Sequence, residues 1–192
     1  SWCMIAIAAA AVFDFFDGSM ARLLHAYSDL GKDLDSLSDM VSFGVAPAML
    51  MLNTMADAGS PLWTCFFTLI IPVCGAIRLA KFNNDTEQAT VFRGLPIPAN
   101  AIFWIGAYGW IDTYYNPGWP VITLLIVAVS LAMTARFKMF SLKFKNFDFA
   151  ENFCRYIIIV AAIVFVAMYG LAGLMWAILL YLLLSLLRRN RM

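Results

Sequence analysis

Four aspartates, Asp14, Asp17, Asp35 and Asp39, stand at helical spacings in a chain that is 63% hydrophobic. Six of the 12 acidic residues, Asp29 and Asp33 among them, fall between positions 14 and 39. An ionised carboxylate beside hydrocarbon is costly unless it is paired, hydrated or metal-bound, so such a cluster is first of all a functional-site signal. Asp14 and Asp17 are i and i+3 on one helix, and Asp35 and Asp39 are i and i+4 at the start of the next. Two antiparallel helices joined by a loop at about 28–34 would bring the pairs face to face. The donors are all oxygens. His25 is the single histidine, and Cys3, Cys65, Cys74 and Cys154 lie singly, with no CxxC spacing, which removes histidine metal sites, Ser-His triads and a disulfide framework. Hard oxygen donors suit Mg²⁺ or Mn²⁺ rather than zinc. Four carboxylates exceed the needs of one ion, and two bridged divalent ions are an apparatus for displacement at phosphorus. Gly18 and Ala21 keep a helix face free of bulk, and Arg22 offers a planar cationic fork for phosphate oxygens. The implied substrate is a diphosphate.

The elements that position these residues are apolar runs. Mean hydropathy is +0.81, and too little polar sequence is present to cover a water-facing surface. The expected fold is an all-α, polytopic transmembrane helical bundle, a single domain over 1–192. About seven spans are expected, at 1–27, 36–56, 62–82, 97–113, 119–135, 154–169 and 171–187, with the last two forming a tight hairpin near Gly170 and Gly173. The chain opens at Ser1 inside apolar sequence with no charged leader, so a further span upstream is expected. With the first helix running inward, the inside segments hold all 13 basic residues, from Arg22 to Arg191, and the outside connections hold none. That asymmetry orients the bundle with its acids facing the cytoplasm. Trp63, Trp110, Tyr114, Tyr115 and Trp119 fall where an outer aromatic belt would lie. The basic, phenylalanine-rich loop at 136–152 suits anionic headgroups rather than nucleic acid.

Acids at an interface also cap helices, pair with cations or are simply solvated, and Asp29 and Asp33 are read that way. A cation-coupled transporter would also place carboxylates in a bundle, but near mid-bilayer and with broken helices in repeated halves, and no such repeat is visible.

The run Asp14-x2-Asp17-Gly18-x2-Ala21-Arg22-x8-Gly31-x3-Asp35-x3-Asp39 resembles, without departure, the signature of the CDP-alcohol phosphotransferases. The resemblance implies a membrane enzyme that displaces CMP from a CDP-linked lipid or alcohol with two divalent ions, Mg²⁺ or Mn²⁺, at the cytoplasmic face, and that works as a homodimer. By the same resemblance Asp14 and Asp35 would bridge both ions, Asp17 would complete one site and Asp39 the other. Asp39 would also be the general base, and Gly18, Ala21, Arg22, Ser28 and Gly31 would hold the CDP-lipid.

Further segments, Val41-Ser-Phe-Gly-Val-Ala-Pro47, Arg78-Leu-Ala-Lys81-Phe-Asn83 and Phe92-Arg93-Gly94-Leu-Pro96-Ile-Pro98, are similar to bacterial membrane-type phosphatidylserine synthases of that family. This similarity implies CDP-diacylglycerol and L-serine as substrates at the bacterial inner membrane. Serine brings a carboxylate that needs a cation, and Arg78, Lys81 and Arg93, with Asn83 as a polar neighbour, are the candidates. A phosphorylated acceptor would want the same cations, so phosphatidylglycerophosphate or phosphatidylinositol phosphate synthesis is the alternative. Gly94, Pro96 and Pro98 predict a rigid, non-helical entrance to the next span.

Overall fold

A backbone in hydrocarbon must satisfy its own N–H and C=O groups, and a helix does so within one segment. In the computed structural model, which describes residues 2–24, 28–84, 92–135, 137–139 and 149–188, the apolar runs accordingly form seven helical rods. The first is α1 (Trp2–Leu23). The second joins α2 (Asp29–Asp39), a π-helical turn (Met40–Val45) and α3 (Ala46–Asp57). The third joins α4 (Leu62–Cys65), a 3₁₀ turn (Phe66–Leu69) and α5 (Ile70–Asn84). Then come α6 (Ile97–Thr113), α7 (Trp119–Thr134), α8 (Phe149–Tyr169) and, after a 3₁₀ turn, α9 (Gly173–Arg188). Number and order match the seven expected spans. By length and composition, Trp2–Met20, Leu62–Asn84 and Asn152–Leu187 suffice to cross a bilayer. The last is two rods folded back at Gly170, whose φ of +60° is a conformation that favours glycine, and α8 packs along α9 as a hairpin.

Several boundaries differ from the expectation. No loop runs to 34, because Ser28 caps α2: its Oγ accepts a hydrogen bond from the Gly31 N–H at 3.0 Å, and the helix starts at Asp29. The helix α8 begins at Phe149 rather than 154. A two-residue antiparallel pair, β1 (Phe92–Arg93) with β2 (Lys138–Met139), ties the entrance of α6 to the segment after α7. Its strands are too short to leave an alternation in the sequence. The non-helical entrance itself is present, with Pro96 at the N-cap of α6 and Pro98 in its first turn. Most of the loop at 136–152 falls outside the described residues.

The helix α6 is the axis of the bundle. Phe103, Trp104 and Ile105 are each 1% exposed, and the helix packs against α1, α3, α9 and the π turn. Gly106 permits the closest approach, since a Cβ there would lie 2.2 Å from the backbone nitrogen of Met175 on α9. In contrast, α1 and α8 turn Ile5, Val12, Phe13, Ile159, Val160 and Ile163 outward, as helices in lipid do. The chain is an integral membrane protein. At one end of the bundle the Trp110 ring stacks on Tyr114 at 4.8 Å and meets Trp176 at 5.2 Å and Tyr169 at 5.5 Å, edge on. Asp14, Asp17, Asp35, Asp39 and most described basic residues lie at the other end.

Candidate active site

The second half of α1 carries Asp14 and Asp17, and the last turns of α2 carry Asp35 and Asp39. The fold brings three of them together: carboxylate oxygens of Asp14, Asp35 and Asp39 lie within 4.8 Å of one another. Asp14 and Asp39 are half-buried and Asp35 is exposed. Two unit charges at such a separation repel by on the order of 3 kcal/mol at an effective dielectric near 20, less where water screens them. Three ionised acids therefore need a countercharge. Asp14 and Asp39 are also close enough to act on each other electrostatically. A divalent cation relieves this crowding and binds carboxylates in their ionised form, so the donor set fits a hard metal ion. Asp17 is exposed and near enough for its charge to act on Asp14, but it is not part of the three-member group.

Of the other predicted groups, Gly18 is half-buried on α1 between Asp17 and Ser19, and Gly31 and Ser28 are exposed at the start of α2, engaged with each other as its cap. Ala21 and Arg22 fall in the last turn of α1, with side chains outside those described.

The π turn that follows Asp39 explains how α2 is held. Pro47 has no N–H, so it cannot bond the carbonyl of Phe43 four residues back, and the helix widens to i→i+5 pairing, as in the Ala46 N–H to Val41 carbonyl bond. The freed Phe43 carbonyl is met from α6 by Asn100, whose Nδ2 donates to it across 3.5 Å. Asn100 is fully buried, and its Oδ1 accepts from Trp104 Nε1 at 2.9 Å, which fixes the amide's orientation. Asn100 was missed in the sequence. A lone amide inside an apolar span, four residues before a tryptophan, was the available signal.

The acceptor candidates separate sharply. Lys81 donates from Nζ to the Thr134 carbonyl at 3.5 Å, a cation at the C-terminus of α7. Asn83 donates from Nδ2 to Ser36 Oγ at 2.9 Å, and its carbonyl accepts from Lys32 Nζ at 3.3 Å, so it ties α5 to α2. Arg93 lies in β1, its side chain outside those described. Among the described residues Arg78 alone is a buried cation, 6% exposed. It is near enough to Asp39 and to Tyr181 of α9 to interact electrostatically with both. Its Nε is buried without a hydrogen-bond partner among the described residues. An unsatisfied buried donor costs about 1–3 kcal/mol, more when charged, so this guanidinium is suited to an anionic ligand.

Comparison with known proteins gives a consistent picture. Residues 1–135 match the family model described as CDP-alcohol phosphatidyltransferase. The chain is similar to the CDP-diacylglycerol–serine O-phosphatidyltransferases of Mycobacterium leprae (strain TN), 36% identical over 69% of this chain and 47% of the relative, and of Bacillus subtilis (strain 168), 46% identical over 44% and 48%. It is also similar to that of Methanocaldococcus jannaschii, 35% identical over 74% of this chain and 67% of the relative. The chain thus spans about half the length of the first two relatives.

Proposed function

Because this chain belongs to the CDP-alcohol phosphatidyltransferase family, we propose that it transfers the phosphatidyl group of CDP-diacylglycerol to the hydroxyl of L-serine, giving phosphatidylserine and CMP. The observation that carries this reading is the convergence of Asp14, Asp35 and Asp39 beside the buried Arg78. Asp39 takes the proton of the serine hydroxyl, the hydroxyl oxygen bonds to the β-phosphorus, and the bond from that phosphorus to the CMP oxygen breaks. No covalent enzyme intermediate is needed. Asp14, Asp17, Asp35 and Asp39 would hold two divalent ions, Mg²⁺ or Mn²⁺, which when bound neutralise phosphate oxygens and ease the departure of CMP. Gly18, Ala21, Arg22, Ser28 and Gly31 hold the CDP-lipid. Ser28 keeps its O–H for donation, because capping uses the oxygen only as acceptor.

Among the acceptor candidates Arg78 is favoured, since Lys81 and Asn83 are engaged with backbone or side-chain partners. The gathering of basic residues at the charged end supports a site facing the cytoplasm, and from the family resemblance we read the protein as a homodimer in a bacterial inner membrane. The test is CMP release by the purified protein from CDP-diacylglycerol with Mg²⁺ or Mn²⁺, comparing L-serine, glycerol 3-phosphate and inositol phosphate. Release that rises with serine alone is expected. Release indifferent to serine but driven by a phosphorylated acceptor would replace serine with that acceptor.

A further inference from the structure

The helix α3 defines an inner face for the rod it shares with α2: its buried residues are Pro47, Ala48, Leu50, Met51, Thr54 and Met55. An α-helix advances about 100° per residue, so an unbroken helix carried back from that face would leave Asp39 about 100° and Asp35 about 140° from its centre, with Leu37 nearer at about 60°. The structure has the opposite arrangement. Leu37 is 64% exposed, while Asp39 is half-buried and stands with Asp14 and Asp35. The π turn (Met40–Val45) accounts for the difference, because i→i+5 pairing inserts one residue and takes about 100° off the path between the two helices. Asp39 then falls at the centre of the inner face, Asp35 at about 40° from it and Leu37 at about 160°, outward.

We infer that Pro47 and Asn100 are positioning residues for the candidate metal site: the π turn they maintain between α2 and α3 sets the rotation that faces Asp35 and Asp39 to Asp14. This rests on the divalent-ion part of the reading above and adds to it two residues outside the acidic group. Pro47 denies the Phe43 carbonyl its ordinary helical partner. Asn100, fully buried on α6, supplies another with Nδ2 at 3.5 Å, while Trp104 Nε1 holds its Oδ1 at 2.9 Å. In an α-helical alternative the proline ring would meet that carbonyl, and the buried Asn100 amide would lose its acceptor. Gly44 lets the widened turn lie against α5, where a Cβ would stand 3.5 Å from the Pro72 Cα. The turn is thus gripped from α5 and α6, and it begins at the residue after Asp39.

The test is Mn²⁺ binding to the full chain, read from the loss of the free-ion electron paramagnetic resonance signal, beside thermal unfolding in metal-free buffer. Pro47→Ala restores an N–H that can bond the Phe43 carbonyl, so the rod can regain α-helical pairing and turn its acids away. Mn²⁺ affinity should fall about tenfold or more, the scale for groups that support metal ligands, while the melting temperature stays at or above that of the wild type. Asn100→Leu should weaken Mn²⁺ binding as much and lower the melting temperature, since the Phe43 carbonyl loses its partner. With both substitutions the melting temperature should recover in part, because the N–H restored at position 47 meets that carbonyl, whereas Mn²⁺ affinity should stay low. Affinity that recovers together with the melting temperature in the double variant would overturn the inference. A wild-type protein that binds no Mn²⁺ would sink the metal reading and this inference together. Wild-type binding that Pro47→Ala leaves intact, or that it loses only in step with stability, would sink this inference alone.

Discussion

The two ends of the bundle are built on opposite principles. At the aromatic end, Trp110, Tyr114, Tyr169 and Trp176 pack against one another at ring distances of 4.8 to 5.8 Å, stacked or edge on. At the charged end three carboxylates crowd within 4.8 Å and Arg78 keeps a buried nitrogen without a partner among the described residues. The first arrangement is complete in itself, and the second is complete only with ligands. Groups that the protein leaves unsatisfied are where its binding free energy for cation and substrate resides, whereas satisfied groups hold the helices in place.

If that contrast is right, damage at the charged end should remove activity and spare the fold. Asp39→Asn should lower CMP release by about 1000-fold, the scale of a lost general base that also serves a metal. Its melting temperature in metal-free buffer should equal or exceed that of the wild type, because one of three mutually repelling charges is gone. A near-normal rate would remove Asp39 from the role of base. Damage at the aromatic end should do the reverse. Trp110→Ala, which deletes three ring contacts from a half-buried site, should cost about 2 kcal/mol of stability by thermal unfolding, below the range for fully buried tryptophan. Activity per folded molecule should stay within about twofold of wild type. A rate loss without loss of stability would break the contrast.

Asn100 sits between these extremes and sharpens them. Asn100→Leu strands the Trp104 N–H and the Phe43 carbonyl, so about 1–3 kcal/mol of stability should go. Activity should fall as well, because the π turn that carries on from Asp39 loses its tie to α6. The smallest effect belongs to Tyr115→Ala: the side chain is 67% exposed, and both stability and rate should move within measurement scatter, at most about 0.5 kcal/mol.

How much of this was legible in the chain follows from what each feature costs. The seven rods could be read because an apolar run in lipid has few alternatives to a helix, and the hairpin because 156–187 is too long for one crossing and carries Gly170. The convergence of Asp14, Asp35 and Asp39 could be read because their i, i+3 and i+4 spacings fix faces. The start of α2 was misplaced because Ser28 is a cap, a local hydrogen bond that competes with its reading as a ligand residue. The π turn was hidden because its cause, a proline at the second position of α3, normally signals only a helix start, and its partner Asn100 lies 57 positions from the carbonyl it meets. The sorting of Arg78 from Lys81 and Asn83 needed tertiary contacts. All three stand within one and a half turns of each other, and only packing decides which is buried.

The reading of the charged end stands or falls on whether these acids bind a divalent ion. Mn²⁺ binding to the purified protein, followed by electron paramagnetic resonance for wild type and Asp35→Asn side by side, tests it without relying on turnover. Saturable binding that weakens at least about tenfold in Asp35→Asn is the predicted result. Binding that is absent from the wild type, or identical in the two proteins, would contradict it.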